Sequence, residues 1–143
     1  MRNFFSYIWE IAKIIIIALV IVVPIRYFLF QPFIVKGQSM EPNFENGDYL
    51  IIDEISYRFR NPERGEVVVF KYPHLPSQRY IKRIIGLPGE TIEIKGGKVA
   101  IFNQKGEQQL AETSYLPSAA QTLGDIRVSL NEAEYFVLGD NRA

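Results

Sequence analysis

Apolar residues run without a charge from position 14 to position 25, the longest such stretch in the chain. As a helix these twelve residues would measure about 18 Å, short of the ~30 Å hydrocarbon core of a bilayer. The flanks supply the difference. Phe4, Phe5, Tyr7, Ile8, Trp9 and Ile11 extend the stretch on one side and positions 27–30 on the other, with Lys13 and Arg26 able to snorkel towards opposite interfaces. Glu10 and Lys13 stand at i and i+3, the spacing of a helical ion pair. Pro24 predicts a kink or an end. The pattern therefore predicts a membrane anchor over residues 1–30, a single transmembrane helix. A cleavable secretory signal is the alternative, but no small-x-small site follows Ile25 directly, and Gly37-Gln38-Ser39 lies too late. Orientation stays open, because Arg2 and Lys13 on one side are matched by Arg26 and Lys36 on the other.

After Phe33 the pattern changes to short β-branched and aromatic runs at 49–52, 67–72, 79–85, 91–94, 98–102 and 135–138, each bounded by turn residues. Lys95-Gly96-Gly97-Lys98 joins two alternating runs through a two-glycine loop that suits a type I′ hairpin. Asn46-Gly47-Asp48, Glu63-Arg64-Gly65-Glu66 and Leu87-Pro88-Gly89-Glu90 punctuate the others. The fold class this predicts is mainly β, a coiled, barrel-like antiparallel sheet over residues 31–143 behind one N-terminal transmembrane helix. Residues 104–127 carry the weakest pattern and read as a hairpin end followed by an excursion loop.

Composition narrows the chemistry. Sixteen basic residues balance sixteen acidic ones without a long run of either sign, so nucleic acid is not an expected partner. Cysteine is absent, which removes disulfides, thiol nucleophiles and thiolate metal sites. His74 is the sole histidine, between Pro73 and Pro76 in a predicted loop. It has no nucleophile-elbow partner and is too few for a zinc site, so neither metal nor cofactor is expected. Asp48, Asp53, Asp125 and Asp140 stand in no recognisable two-carboxylate setting, and no glycine-rich phosphate loop is present.

A serine served by an amine base remains. Free lysine titrates near ~10.4, so a base working at neutral pH needs a downward shift of ~2–3 units, which desolvation or nearby positive charge must supply. Lys95, Lys98 and Lys105 adjoin turns, Lys13 belongs to the membrane edge, and Lys71 begins a proline-bounded loop. Lys82 instead sits in a predicted strand, where alternation puts Tyr80, Lys82 and Ile84 on one face and Arg83 on the other. Arg83 cannot lose its proton and is no base. Lys36, three residues from Ser39, is the runner-up. Singly, Ser39 reads as a turn serine and Lys82 as a snorkelling strand residue.

The ordered motifs change that weighting. Positions 31–42, with Ser39-Met40-Glu41-Pro42, then Gly47-Asp48, Arg64-Gly65-Glu66-Val67-Val68-Val69-Phe70, positions 80–90, and Gly139-Asp140-Asn141-Arg142 together resemble bacterial type I signal peptidase. That family consists of membrane-bound serine proteases that remove signal peptides from exported preproteins. The resemblance implies Ser39 as nucleophile and Lys82 as general base, with the Ser39 N–H helping to hold the oxyanion. Gly37 stands where some members carry a second donor, a serine. Phe33, Val35, Met40, Tyr80 and Ile81 match positions lining shallow pockets for small residues at −1 and −3 of the signal peptide, and Gly139, Asp140, Asn141 and Arg142 form a structural motif. It further implies signal peptides and membrane lipid as partners, and a bacterial cytoplasmic membrane with the N-terminus inside and the catalytic domain outside. Thirteen residues from Arg26 to Ser39 reach at most ~45 Å, which keeps the serine near the bilayer.

In the family an acidic, serine-containing stretch and closing strands follow the Gly139–Arg142 motif, whereas this sequence stops at Ala143. The expectation is a peptidase domain lacking those strands. It motivates an alternative function: a catalytically inactive, membrane-anchored β domain that binds signal peptides or partner proteins. A soluble Ser/Lys self-cleaving regulator fits less well, given the apolar anchor and the lack of a DNA-binding segment.

Overall fold

The computed structural model describes residues 2–28, 30–53, 55–109, 115–116 and 120–142. They fall into two compact units, one drawn from Met1–Phe33 and Tyr49–Asn61, the other from Ile34–Asp48 and Pro62–Ala143.

In the first unit, helix α1 covers Arg2–Phe28. Its segment Phe4–Pro24 is long and apolar enough to cross a membrane, 21 residues or about 30 Å at the α-helical rise. Pro24 does not end the helix, which continues to Phe28. One backbone hydrogen bond lost near the end of so long a helix is outweighed by the rest. The Lys13 ammonium stands 5.8 Å from the Trp9 ring centroid, the i,i+4 neighbour one residue before the expected partner Glu10. Strand β1 (Phe30–Ile34) pairs with β2 (Tyr49–Asp53). The sequence pattern predicts β2 but reads the start of β1 as helix flank, since Phe30 is apolar and Pro32 is a poor ladder residue. A 3-10 turn at Ser56–Arg58 follows, its start held by Asp53, whose Oδ1 accepts from the N–H groups of Ile55 and Ser56 at 3.0 and 3.1 Å. Tyr49, Ile51 and Phe59 remain 81%, 72% and 85% exposed.

The second unit holds two antiparallel sheets. One is β3 (Val67–Tyr72), β4 (Leu75–Gly86) and β9 (Phe136–Leu138), with β4 central. The other comprises β5 (Thr91–Lys95), β6 (Lys98–Phe102), β7 (Gln108–Gln109) and β8 (Ile126–Ser129), in the order β7-β6-β5-β8. The two-glycine loop makes the expected hairpin, with Lys95 opposite Lys98 and φ of +57° and +78° at Gly96 and Gly97. Only glycine enters that region without steric cost.

Strand β7, paired with β6, is the hairpin end expected there, whereas β8 lies at the end of the stretch read as an excursion loop and corrects that reading. The first has two polar residues and so no apolar signal. The second is stabilised by pairing with β5, which sets Val128 opposite Ile92. Residues 110–114 and 117–119 of the same stretch lie outside the described set, as does Ala143. The reversal between β3 and β4 is also tighter than expected: Lys71 and Pro76 are strand residues, and His74 sits at the turn, 5.4 Å from the Tyr72 ring.

Alternation builds the core. In β5, Ile92 and Ile94 turn inward while Thr91 and Glu93 face out, where Thr91 Oγ1 meets Ser129 Oγ at 2.9 Å and Glu93 pairs with Arg127 at 3.2 Å. Ile85, Ile92 and Ile101 form the fully buried centre, with Val99, Tyr115, Val128, Leu130, Phe136 and Leu138 packed against them. Each such isoleucine contributes about 2 kcal/mol on leaving water. Their role here is to fix β4, which carries Lys82 and Arg83, and β9, which leads into the polar residues 139–142.

Candidate active site

The serine is displayed by a stapled loop. Val35 N–H donates to Asp48 O and Gly47 N–H to Val35 O, both at 2.9 Å, and Gly37 N–H donates to Asn46 Oδ1 at 2.9 Å. The loop then tightens, with Glu41 N–H on Gln38 O and Phe44 N–H on Met40 O. Met40 is buried to 1% exposure while its neighbour Ser39 stays exposed. Burying the methionine anchors the turn and turns the adjacent hydroxyl outward.

The lysine comes from the central strand. In β4, Lys82 lies opposite Val68 of β3, and Arg83 lies between Val67 of β3 and Leu138 of β9. Lys82 Nζ donates to Ser39 Oγ at 2.6 Å. When the amine is neutral the same contact runs the other way, with the hydroxyl donating to the nitrogen lone pair. Burial pulls the Lys82 amine below the ordinary lysine value, and the Asp140 carboxylate pushes partly back.

Arg83 takes the other side of the strand. Its Nε and Nη2 donate to the two oxygens of Asp140 at 2.8 and 2.6 Å, Nη1 donates to Gly65 O at 2.7 Å, and the guanidinium stands 4.2 Å from the Tyr115 ring centroid. Asp140 is buried to 1% exposure, and this fork-on-carboxylate geometry is what makes burial tolerable. Asn43 Nδ2 also donates to Asp140 Oδ2, at 2.9 Å. Arg142 donates from Nε to Gly139 O and from Nη1 to Thr122 Oγ1, both at 2.7 Å. Burial lowers the proton affinity of Arg142 and raises the pKa of the Tyr115 phenol, which that guanidinium and Arg83 partly offset.

The residues after β9 hold the backbone of Ser39. Asn141 N–H donates to Ser39 O and its Nδ2 to Gln38 O, each at 3.1 Å. A Cβ on Gly139 would collide with the carbonyl oxygen of Ser39, so the contact needs glycine whatever its φ. Gly139, Asp140 and Asn141 thus touch either the serine turn or the ion pair, and Arg142 braces the motif from behind through Gly139 O and Thr122.

The expected pocket residues are placed less uniformly. Val35 and Met40 flank the serine in the stapled loop at 1% exposure, and Ile81, next to Lys82, is at 6%. Tyr80 is more open and stacks near Tyr72 and Phe70, with centroids 4.9 and 6.5 Å away. Phe33 belongs to β1 in the first unit. Lys36, the runner-up base, is exposed. The sequence excludes Arg83 as a base but does not show its ion pair, and nothing in it singles out Asn43, Tyr115 or Thr122. The one usable signal was that an arginine adjacent to the lysine in a strand faces the opposite side and needs a counter-ion there.

The family model described as signal peptidase, peptidase S26, matches residues 8–143. The chain is 34% identical to a probable signal peptidase I-1 of Synechocystis sp. over 96% of this chain and 70% of that protein. It is 36% identical to a signal peptidase I of Bacillus amyloliquefaciens over 94% of this chain and 71% of that protein. Among solved structures, a signal peptidase I from Enterococcus faecalis V583 superposes with a TM-score of 0.44 at 31% identity, covering 58% of this chain and 80% of that one.

Proposed function

The chain belongs to the signal peptidase family, peptidase S26, and on that premise we propose that it is a membrane-anchored serine endopeptidase that removes signal peptides from exported preproteins, with Ser39 as nucleophile and Lys82 as general base. The observation that carries the proposal is the 2.6 Å contact between Lys82 Nζ and Ser39 Oγ. It is supported by the burial that makes this amine easier to deprotonate.

The neutral amine takes the hydroxyl proton as Oγ attacks the scissile carbonyl. The oxyanion of the tetrahedral intermediate is met by the Ser39 N–H, with no side-chain donor from Gly37. The Lys82 ammonium then protonates the departing amine, leaving an ester on Ser39. Water, deprotonated by Lys82, attacks that ester, and the Lys82 ammonium returns the proton to the departing Ser39 Oγ, releasing the signal peptide with a new carboxyl end and regenerating the neutral amine. Val35, Met40, Tyr80, Ile81 and Phe33 are assigned to the pockets for small side chains on the analogy of the family. The buried Val35, Met40 and Ile81 beside the dyad favour small apolar occupants. The chain is placed in the cytoplasmic membrane of a bacterium, with α1 spanning it, the N-terminus inside and the β-rich unit outside. The inactive binding domain has no observation in its favour.

The test is cleavage of a preprotein bearing an Ala-x-Ala site by the full chain in detergent, with the cut located by N-terminal sequencing. Ser39→Ala and Lys82→Ala are each expected to lower the rate by at least ~10³-fold without altering the circular dichroism spectrum. Undiminished cleavage by a folded Lys82→Ala protein sinks the assignment.

A further inference from the structure

Asn43 lies four residues beyond the nucleophile in the same stapled loop, and both protons of its amide are committed. Nδ2 donates to Asp140 Oδ2 and to the main-chain oxygen of Tyr115, each at 2.9 Å and 97 and 72 residues away. Both partners are acceptors, which fixes the orientation of the amide, since the opposite one would aim oxygen at oxygen. Asn43 therefore joins the serine turn to the carboxylate that stands behind the lysine.

That carboxylate matters to the base. Lys82 acts only as a neutral amine, and a nearby anion favours the ammonium. The charged and titratable groups around Asp140 are Lys82 and Arg83 from β4, Arg142 from the segment after β9, and the phenol of Tyr115. Arg83 occupies one lone pair on each oxygen, and Asn43 takes a second on Oδ2. Without Asn43, Oδ2 loses a donor that draws off part of its charge, and the carboxylate acts more strongly through space on the Lys82 ammonium.

We infer that Asn43 is a positioning residue for the dyad: it ties the Ser39 turn to the Arg83–Asp140 pair and tempers the field that the Asp140 carboxylate exerts on Lys82. The inference rests on the Ser39–Lys82 reading above and extends it to a side chain that touches neither substrate nor reacting atoms.

The experiment is the pH dependence of kcat/KM for preprotein cleavage by the full chain in detergent, for the parent, Asn43→Ala and Asn43→Asp. With Asn43→Ala the acid limb moves up by about one pH unit, so activity on that limb falls about tenfold and recovers as the pH is raised. With Asn43→Asp, which keeps the shape but adds a second carboxylate, the limb moves further in the same direction. A residue that merely supported the fold would scale the whole profile and leave the limb in place. Limbs at the parental position overturn the inference, whatever the height of the plateau. If Asn43→Ala does not fold, the position of the Asn43→Asp limb decides in its place. Cleavage retained by Lys82→Ala overturns the dyad and this inference together, whereas an inactive Lys82→Ala with unmoved Asn43 profiles overturns this inference alone.

Discussion

Burial lowers the proton affinity of the Lys82 amine and the Asp140 carboxylate raises it, burial being the larger effect. The folded value therefore lies below the unfolded one, and between the two values the native state holds fewer protons than the unfolded chain. Below that window both states carry the ammonium, and folding bears the whole desolvation cost. As pH rises through the window the cost is relieved. Lys82→Met is thus expected to melt roughly 2–4 °C higher than the parent at neutral pH, with the difference closing as the pH approaches the ordinary lysine range. Differential scanning calorimetry across that range checks it, and a gap independent of pH contradicts it. The meeting of Ser39 and Lys82 was legible in the sequence because each sits in a run of motif residues and because strand alternation separates Lys82 from Arg83. Asn43 was not. An asparagine in a turn already has a local explanation, and partners 72 and 97 residues away leave no periodic trace.

Elements with a period or an obligatory turn were the legible part of the fold. The hairpin between β5 and β6 rests on two consecutive residues with positive φ. At Gly96 a side chain would meet open space, so a substitution there changes backbone energy and little else. Gly96→Val is expected to cost about 1–2 kcal/mol, and Gly96→Asn, whose side chain tolerates this conformation, less than about 0.5 kcal/mol. Urea unfolding of the two variants distinguishes them, and equal losses would contradict the turn assignment. Strands β3, β4, β5, β6 and β9 announced themselves through β-branched alternation. By contrast β7 is made of two glutamines and β8 of four residues, and both owe their conformation to the ladder beside them. Tertiary pairing imposes strand there with little help from local preference.

For the whole molecule, an apolar helix of membrane-spanning length and a β-rich unit carrying Ser39 and Lys82 lead to one physical expectation about partition. The chain should stay in the membrane pellet after alkaline carbonate extraction, and a version lacking residues 1–28 should leave it. The absence of cysteine makes sidedness measurable as well, because a single Lys105→Cys in the exposed turn between β6 and β7 gives a unique thiol. Labelling of that thiol by a membrane-impermeant maleimide in intact cells is expected, and labelling only after permeabilisation would place the β-rich unit inside.

The backbone clasp on Ser39 adds a temporal consequence. Asn141, which holds the carbonyls of Ser39 and Gln38, is 103 positions downstream of Gln38. A growing chain that has emerged through β4 already has the hydroxyl, the amine and the local staples of the serine turn, but the clasp on the Ser39 and Gln38 carbonyls is still missing. The proposed centre is therefore complete only once the residues after β9 have been made and docked, so full cutting power is expected to begin with assembly rather than with synthesis of the serine.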